Sequence, residues 1–280
     1  MITRLDIVGN LIEALRRDEL TKEQLLAYCE AHAHILKSNV EQALLRYNLE
    51  TVGEVLQANL AQYAADKARI LANYASFSQV AGRATEQVIR TYGHDIPDVV
   101  LVPCMGLYSN GGWAQRVDDK TYICVALERL SQGGPLDILL VHEIAHGIAE
   151  TNWDTVLDGF YGEGHATYVS SVLCPGHPED TYFVMGKEDW LSGYLDWIEE
   201  NRERILQDAA KPLQVLNPVH KFYFTTSYNP AYPNIGYLIG YLYLKHLHIK
   251  YMLPQLRTLG KDEHLIQREF VSFISTWTRG

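Results

Sequence analysis

Three side chains in one apolar run are of the types that bind metals and move protons. They are His142, Glu143 and His146, set within Asp137-Ile-Leu-Leu-Val-His-Glu-Ile-Ala-His-Gly-Ile-Ala-Glu150. The histidines are four residues apart, so on a helix they project from one face about one turn apart. Two imidazoles placed this way can hold a divalent metal, and the His-Glu-x-x-His spacing suits zinc. Glu143 can lean over the same opening and accept a proton from a water there. Ile138, Leu139, Leu140, Val141, Ile144, Ala145, Ile148 and Ala149 make the helix apolar almost all round, which places it inside a domain. Burying two histidines and a carboxylate there is costly unless something compensates them. The competing reading is a pair of satisfied core histidines.

A third ligand separates the two readings. A histidine six residues after His146 is ruled out, because Asn152 stands there. Glu163 lies far enough on to belong to the next helix, and Gly162 and Gly164 flank it. Glycine costs a helix about 1 kcal/mol relative to alanine, so a close approach to a backbone or a ligand is expected at that point. His165 is a rival, but on one helix it points about 200° away from Glu163, so both cannot face one ion. Asp154 and Asp158 remain as alternative carboxylate ligands.

His142-Glu143-x-x-His146, Gly-Glu163-Gly-x-Ala-x-Tyr168 and Gly236-Tyr237-x-x-Gly240-Tyr241 together resemble the gluzincin zinc peptidases. In particular they resemble a bacterial family of predicted zinc-dependent proteases. The resemblance spans roughly residues 98 to 250, and its first two motifs are the specific part. It implies a thermolysin-like arrangement: a sheet with an edge strand over a cleft, an active-site helix and a glutamate-bearing helix. It also implies Zn2+ held by His142, His146 and Glu163, Glu143 as general base, and a peptide or protein substrate. The chain departs from thermolysin at Thr167, where an acid would follow the ligand glutamate by four. Asp154 or Asp158 would then have to orient the histidines. Tyr237 is the candidate donor to the oxyanion, because its helix follows a loop and Gly236 and Gly240 allow close packing; Tyr241, Tyr232 and His220 stand behind it. Two other functions fit the same motif: a zinc hydrolase acting on a non-peptide bond, and a catalytically silent zincin-like binding or regulatory module. An intact Glu143 argues against the silent module.

The rest of the chain must position these residues. Its 280 residues, 47 % apolar and 21 % charged, are ordinary for a globular protein. A net charge of −10 argues against nucleic acid as a partner. No apolar run approaches the roughly 18 residues of a membrane span, and the first residues do not read as a signal peptide. The four scattered cysteines, without a Cys-x-x-Cys pair, fit a reducing cytoplasm.

The expected fold is α+β: a zincin-like domain with a small, mostly antiparallel sheet and active-site helices, preceded by an all-helical region. Residues 1–95 read as the helical scaffold and 96–280 as the catalytic domain with a helical C-terminal part. Helix starts are marked at Thr21-Lys-Glu-Gln24, Ser38-Asn-Val-Glu41 and Thr51-Val-Gly-Glu54. The last should open a helix reaching about Tyr74, with another over Thr85–Tyr92. Strands are expected over 98–103, 112–117 and 121–127, the last forming the edge beside the cleft. Gly133-Gly134 breaks the chain before the histidine helix. Later helices are expected over 158–173, 188–208, from Asn234 onward and 262–277, with an aromatic loop over 217–233.

Overall fold

Residues 99–104 are Val-Val-Leu-Val-Pro-Cys, a β-rich run with no charged residue, as a strand buried on both faces should be. The computed structural model describes residues 1–130, 135–183, 190–214, 218–224, 229 and 231–277. It is α+β and mostly helical, with a small four-stranded sheet. The chain divides into two compact units, Met1–Gly147 and Ile148–Gly280.

The first unit holds β1 (Ile2–Arg4), α1 (Gly9–Arg16), α2 (Lys22–Ala31), α3 (Ala33–Tyr47), α4 (Val52–Ala65), α5 (Lys67–Tyr92), β2 (Val99–Cys104), β3 (Gly112–Val117), β4 (Lys120–Ala126) and α6 (Leu136–Ile148), whose last residue falls in the second unit. Strand order is β1-β2-β4-β3. Both β1–β2 and β2–β4 are parallel and only β3–β4 is antiparallel, so the sheet is mixed and not mostly antiparallel. β1 overturns the all-helical reading of the N-terminal region. Three residues are too few to show a period, and what makes them a strand is the ladder from Ile2↔Val99 to Arg4↔Leu101. The division expected at residue 95 has β1 on one side and its partner β2 on the other. Pro103, which cannot donate to a ladder, lies beyond the last residue paired with β1.

The edge strand is also corrected. β4 is paired on both sides, by β2 and by β3, so 121–127 is an inner strand. Among the described residues β3 has a ladder partner on one side only, and it is the edge. A two-residue turn joins β3 to β4, with Asp118 in the left-handed region (φ 51°).

The helices follow their caps where the caps are strong. Thr21 and Gln24 form a reciprocal box at the start of α2, and Thr51 and Glu54 do so at α4. Ser38 starts nothing. It lies inside α3, where Ile35, Leu36, Asn39 and Ala43 are buried along one continuous stripe. The helix expected to reach Tyr74 stops at Asp66, and α5 runs unbroken to Tyr92 because Ile70, Phe77, Ala81, Ala84 and Val88 keep one buried face throughout.

The turn between β2 and β3 is held from several directions. Leu107 and Tyr108 both adopt left-handed backbone (φ 56° and 55°), an uncommon choice for residues with side chains. The Glu128 carboxylate accepts the Gly106 N–H at 2.6 Å and the Tyr108 N–H at 3.1 Å. From α3, the Asn39 amide donates to the Gly106 carbonyl at 2.8 Å and Arg46 donates to the Ser109 carbonyl at 2.6 Å. The Tyr28 hydroxyl of α2 accepts the Met105 N–H at 3.1 Å. The N-terminal helices therefore fix the approach to the edge strand.

The second unit comprises α7 (Val156–Leu173), α8 (Glu179–Tyr182), α9 (Trp190–Glu200), α10 (Arg202–Ala209), α11 (Pro218–Phe224), α12 (Ile235–His248), α13 (Leu253–Leu259) and α14 (Glu263–Thr276). α7 and α12 cross backbone to backbone: a Cβ on Gly240 would stand 2.1 Å from the Phe160 carbonyl oxygen, and one on Gly164 would stand 2.3 Å from the Gly240 carbonyl carbon. The helix expected over 188–208 is two helices, α9 and α10. Asn201 separates them, and its side-chain amide donates to the Trp197 carbonyl at 2.8 Å. Asn234 precedes α12 in left-handed backbone, without a side-chain cap. A short helix, α11, occupies part of the expected aromatic loop. The Gly133-Gly134 break, the first two residues expected in the 188–208 helix, and residues 217, 225–228 and 230 of that loop lie outside the described residues.

Burial pushes the Glu128 carboxyl up to about 7. A folded-state value above the ordinary carboxylate value of about 4.3 means the native chain binds the extra proton between those limits. Stability thus falls as pH rises through that window, and the loss is complete above about 7. Glu128→Gln mimics the protonated form, so its melting temperature minus that of the wild type should be several degrees larger at pH 8 than at pH 5.5. Melting curves at the two pH values check this, and an equal difference at both would contradict it.

Candidate metal centre

α6 starts beside Pro135, with Asp137 in its first turn, where a negative charge meets the positive end of the helix dipole. Ile138, Leu140, Val141, Ile144, Ala145 and Ile148 are buried, as the run of apolar residues requires. His142 and His146 are half-buried, and Glu143 is 8 % exposed. The Nε2 atoms of the two histidines stand 3.1 Å apart, with ring centroids at 4.7 Å and planes at 78°. Two nitrogen lone pairs do not face each other at that distance without positive charge between them. Either a proton on one Nε2 or a metal ion supplies it.

Glu163 joins them. One ligand atom each from His142, His146 and Glu163 lies within 4.8 Å of the other two, and this is the only such group of histidine, cysteine or acidic residues among the described residues. The donor set fits zinc. Bonds of about 2.0–2.1 Å in a tetrahedral site put neighbouring ligand atoms about 3.3 Å apart, close to the histidine separation, and side-chain torsions can take up the rest. The rivals are placed elsewhere. His165 is fully buried. Asp158 closes the N-terminal box of α7: its Oδ2 accepts the Thr155 N–H at 2.7 Å, the Asp154 N–H at 3.1 Å and the Thr155 hydroxyl at 2.8 Å. Asp154 is exposed. Of the flanking glycines, Gly164 has the expected reason, a backbone of α12 against it, whereas Gly162 makes room for a side chain: it lies under the Trp153 indole, 2.5 Å from where a Cβ would be.

The oxyanion candidates sort by surroundings. Tyr237 lies in the first turn of α12, on the helix that Gly240 brings against Phe160 and Gly164, and its ring is 6.2 Å from that of Phe224. His220 on α11 packs on the same Phe224 ring, at 5.4 Å. Burial pushes the His220 imidazole below its ordinary value, while the Glu163 carboxylate pulls it the other way, so the two groups share one field. Tyr241 packs against Tyr168 and Phe183, and Tyr232 against Tyr194 and Trp197.

One residue escaped the motif reading. A Cβ on Gly112, the first residue of β3, would stand 2.6 Å from Oε1 of Glu143 and 2.7 Å from its Cγ. The signal was available: a Gly-Gly pair at the head of a strand marks close approach of the backbone to something.

Purified protein should hold one zinc per chain by elemental analysis. Glu163→Gln should lower that ratio sharply, while His165→Ala should leave it unchanged if the variant folds. The opposite pattern would move the third ligand to His165. Comparison with protein-family models, characterised proteins and solved structures finds no match, so the case for this centre rests on its own residues.

Proposed function

We propose that the chain is a zinc-dependent hydrolase of peptide bonds, a metalloprotease of gluzincin-like type with a zincin-like catalytic region. The observation that carries this reading is the convergence of His142, His146 and Glu163, with Glu143 on the same helix as the two imidazoles. His142 and His146 offer neutral nitrogen lone pairs and Glu163 a carboxylate, which leaves a bound Zn2+ one positive charge and an open position. Zinc would supply Lewis acidity, polarising a carbonyl and easing the deprotonation of water.

Everything else is the work of the chain. Glu143 takes a proton from the attacking water as the new C–O bond forms, then passes it to the leaving amine as the C–N bond breaks. Tyr237 donates to the oxygen that gains negative charge, with His220 the alternative donor. The outer edge of β3 replaces 121–127 as the strand that holds an extended peptide through main-chain hydrogen bonds. Peptides and proteins are the proposed substrates, with no part for nucleic acid or membrane. A net charge of −10 supports the first exclusion. Among the described residues no helix is long and apolar enough to cross a membrane. The proposed compartment is the cytoplasm, and four buried cysteines with free thiols are consistent with it.

Glu143→Gln should fold and keep its zinc while hydrolysis of a peptide library falls at least 10²-fold, as is typical when a general base is lost. Glu163→Gln should lose metal and activity together. Loss of zinc from Glu143→Gln would make that residue a ligand. Full activity would end the water-activation mechanism, and cleavage of esters or non-peptide amides alone would redirect the reading to another bond.

A further inference from the structure

Glu143 meets the edge strand at a residue without a side chain, and neither the strand nor the helix backbone has room to retreat. On the strand side, Gly112 pairs with Val125 and the Ala126 N–H donates to the Gly111 carbonyl at 2.9 Å. The preceding turn is tied to Glu128, Asn39 and Arg46, and the next residue, Trp113, is buried with its indole N–H directed at the Ile35 carbonyl at 3.4 Å. On the helix side, α6 is pressed onto β4: a Cβ on Gly147 would stand 2.8 Å from the Ile123 side chain. What can yield is the flexible Glu143 side chain, whose Oε1, Cγ and Cδ all lie within 2.8 Å of the missing Cβ.

We infer that Gly112 is a positioning residue for the general base: its bare backbone is the surface against which the Glu143 carboxylate is held in its working orientation. The inference rests on the role proposed for Glu143, and it gives the N-terminal helices a function, because they fix the turn that delivers Gly112. Any side chain at 112 rotates the carboxylate away and leaves the metal ligands untouched.

Gly112→Ala tests this in two independent ways. A crystal structure of the variant should show the Glu143 carboxylate displaced by more than about 1 Å, with His142 and His146 in place and zinc retained. Its kcat on a peptide cleaved by the wild type should fall at least tenfold, with KM changed less than threefold. Added to Glu143→Gln, the same substitution should cost less than a further threefold, because the base is already gone. If Gly112→Ala alone does not fold, adding Glu143→Asp, which withdraws the carboxylate by one methylene, should restore folding. An unmoved carboxylate, multiplicative losses in the double variant, or no rescue by Glu143→Asp would each overturn the inference. A wild type that cleaves no peptide would overturn the peptidase reading instead, and the position of the carboxylate would then judge the Gly112 contact alone.

Discussion

Two imidazole nitrogens 3.1 Å apart, on a helix that buries Ile138, Leu140, Val141, Ile144, Ala145 and Ile148, create a need for positive charge between them that either a proton or a cation fills. A proton meets it once, at the expense of one lone pair. In the proposed centre a divalent ion would meet it for both nitrogens and for the Glu163 carboxylate as well. Glu143 is buried and the two histidines are half-buried, and burying such groups is costly unless something compensates them. Much of the surrounding chain serves to hold the donors still. α7 is started by an acid already committed to its cap, and it is locked to α12 where two glycines let the backbones touch.

The sheet stands against Glu143, the proposed base. In that role its carboxylate would need a fixed orientation, and the backbone at Gly112 would be the wall that limits its side-chain torsions. That wall is only as firm as the turn leading to it. Two left-handed residues in a row are an unfavourable conformation for side-chain-bearing residues, each costing on the order of 1 kcal/mol. Their persistence reflects the ring of partners around them: a buried carboxylate, an amide from α3 and a guanidinium from the same helix. The helical region that the sequence presents as scaffold is thus coupled to the site through a few hydrogen bonds.

The histidine helix was legible because its signal is local. A spacing of four and an apolar surround are both present in fourteen consecutive residues. The tight packing of the helix that carries Glu163 was legible for a related reason, since flanking glycines announce close approach, and Gly164 does meet another backbone. The caps at Thr21 and Thr51 were legible because a reciprocal hydrogen bond needs only four residues. What stayed hidden depends on distant partners. β1 is a strand because of residues almost a hundred positions away, and part of the sheet's mixed character follows from that parallel pairing. Whether 112–117 or 121–127 forms the edge is set by strand order, which period and composition do not encode. Ser38 carried a sound local capping signal that lost to a continuous buried stripe. The interruption at Asn201, where the side-chain amide also donates to the Trp197 carbonyl, is not registered by an amphipathic pattern.

The central claim is that His142, His146 and Glu163 converge on a single metal ion. Its most direct test is anomalous scattering at the zinc edge from crystals of the zinc-loaded protein. The account predicts one peak about 2.0–2.1 Å from Nε2 of both histidines and from a carboxylate oxygen of Glu163, with Glu143 outside bonding distance. No peak there while the histidines keep their 3.1 Å contact would mean that a proton joins the two rings, and a peak bonded to Glu143 in place of Glu163 would mean that the base has been misassigned.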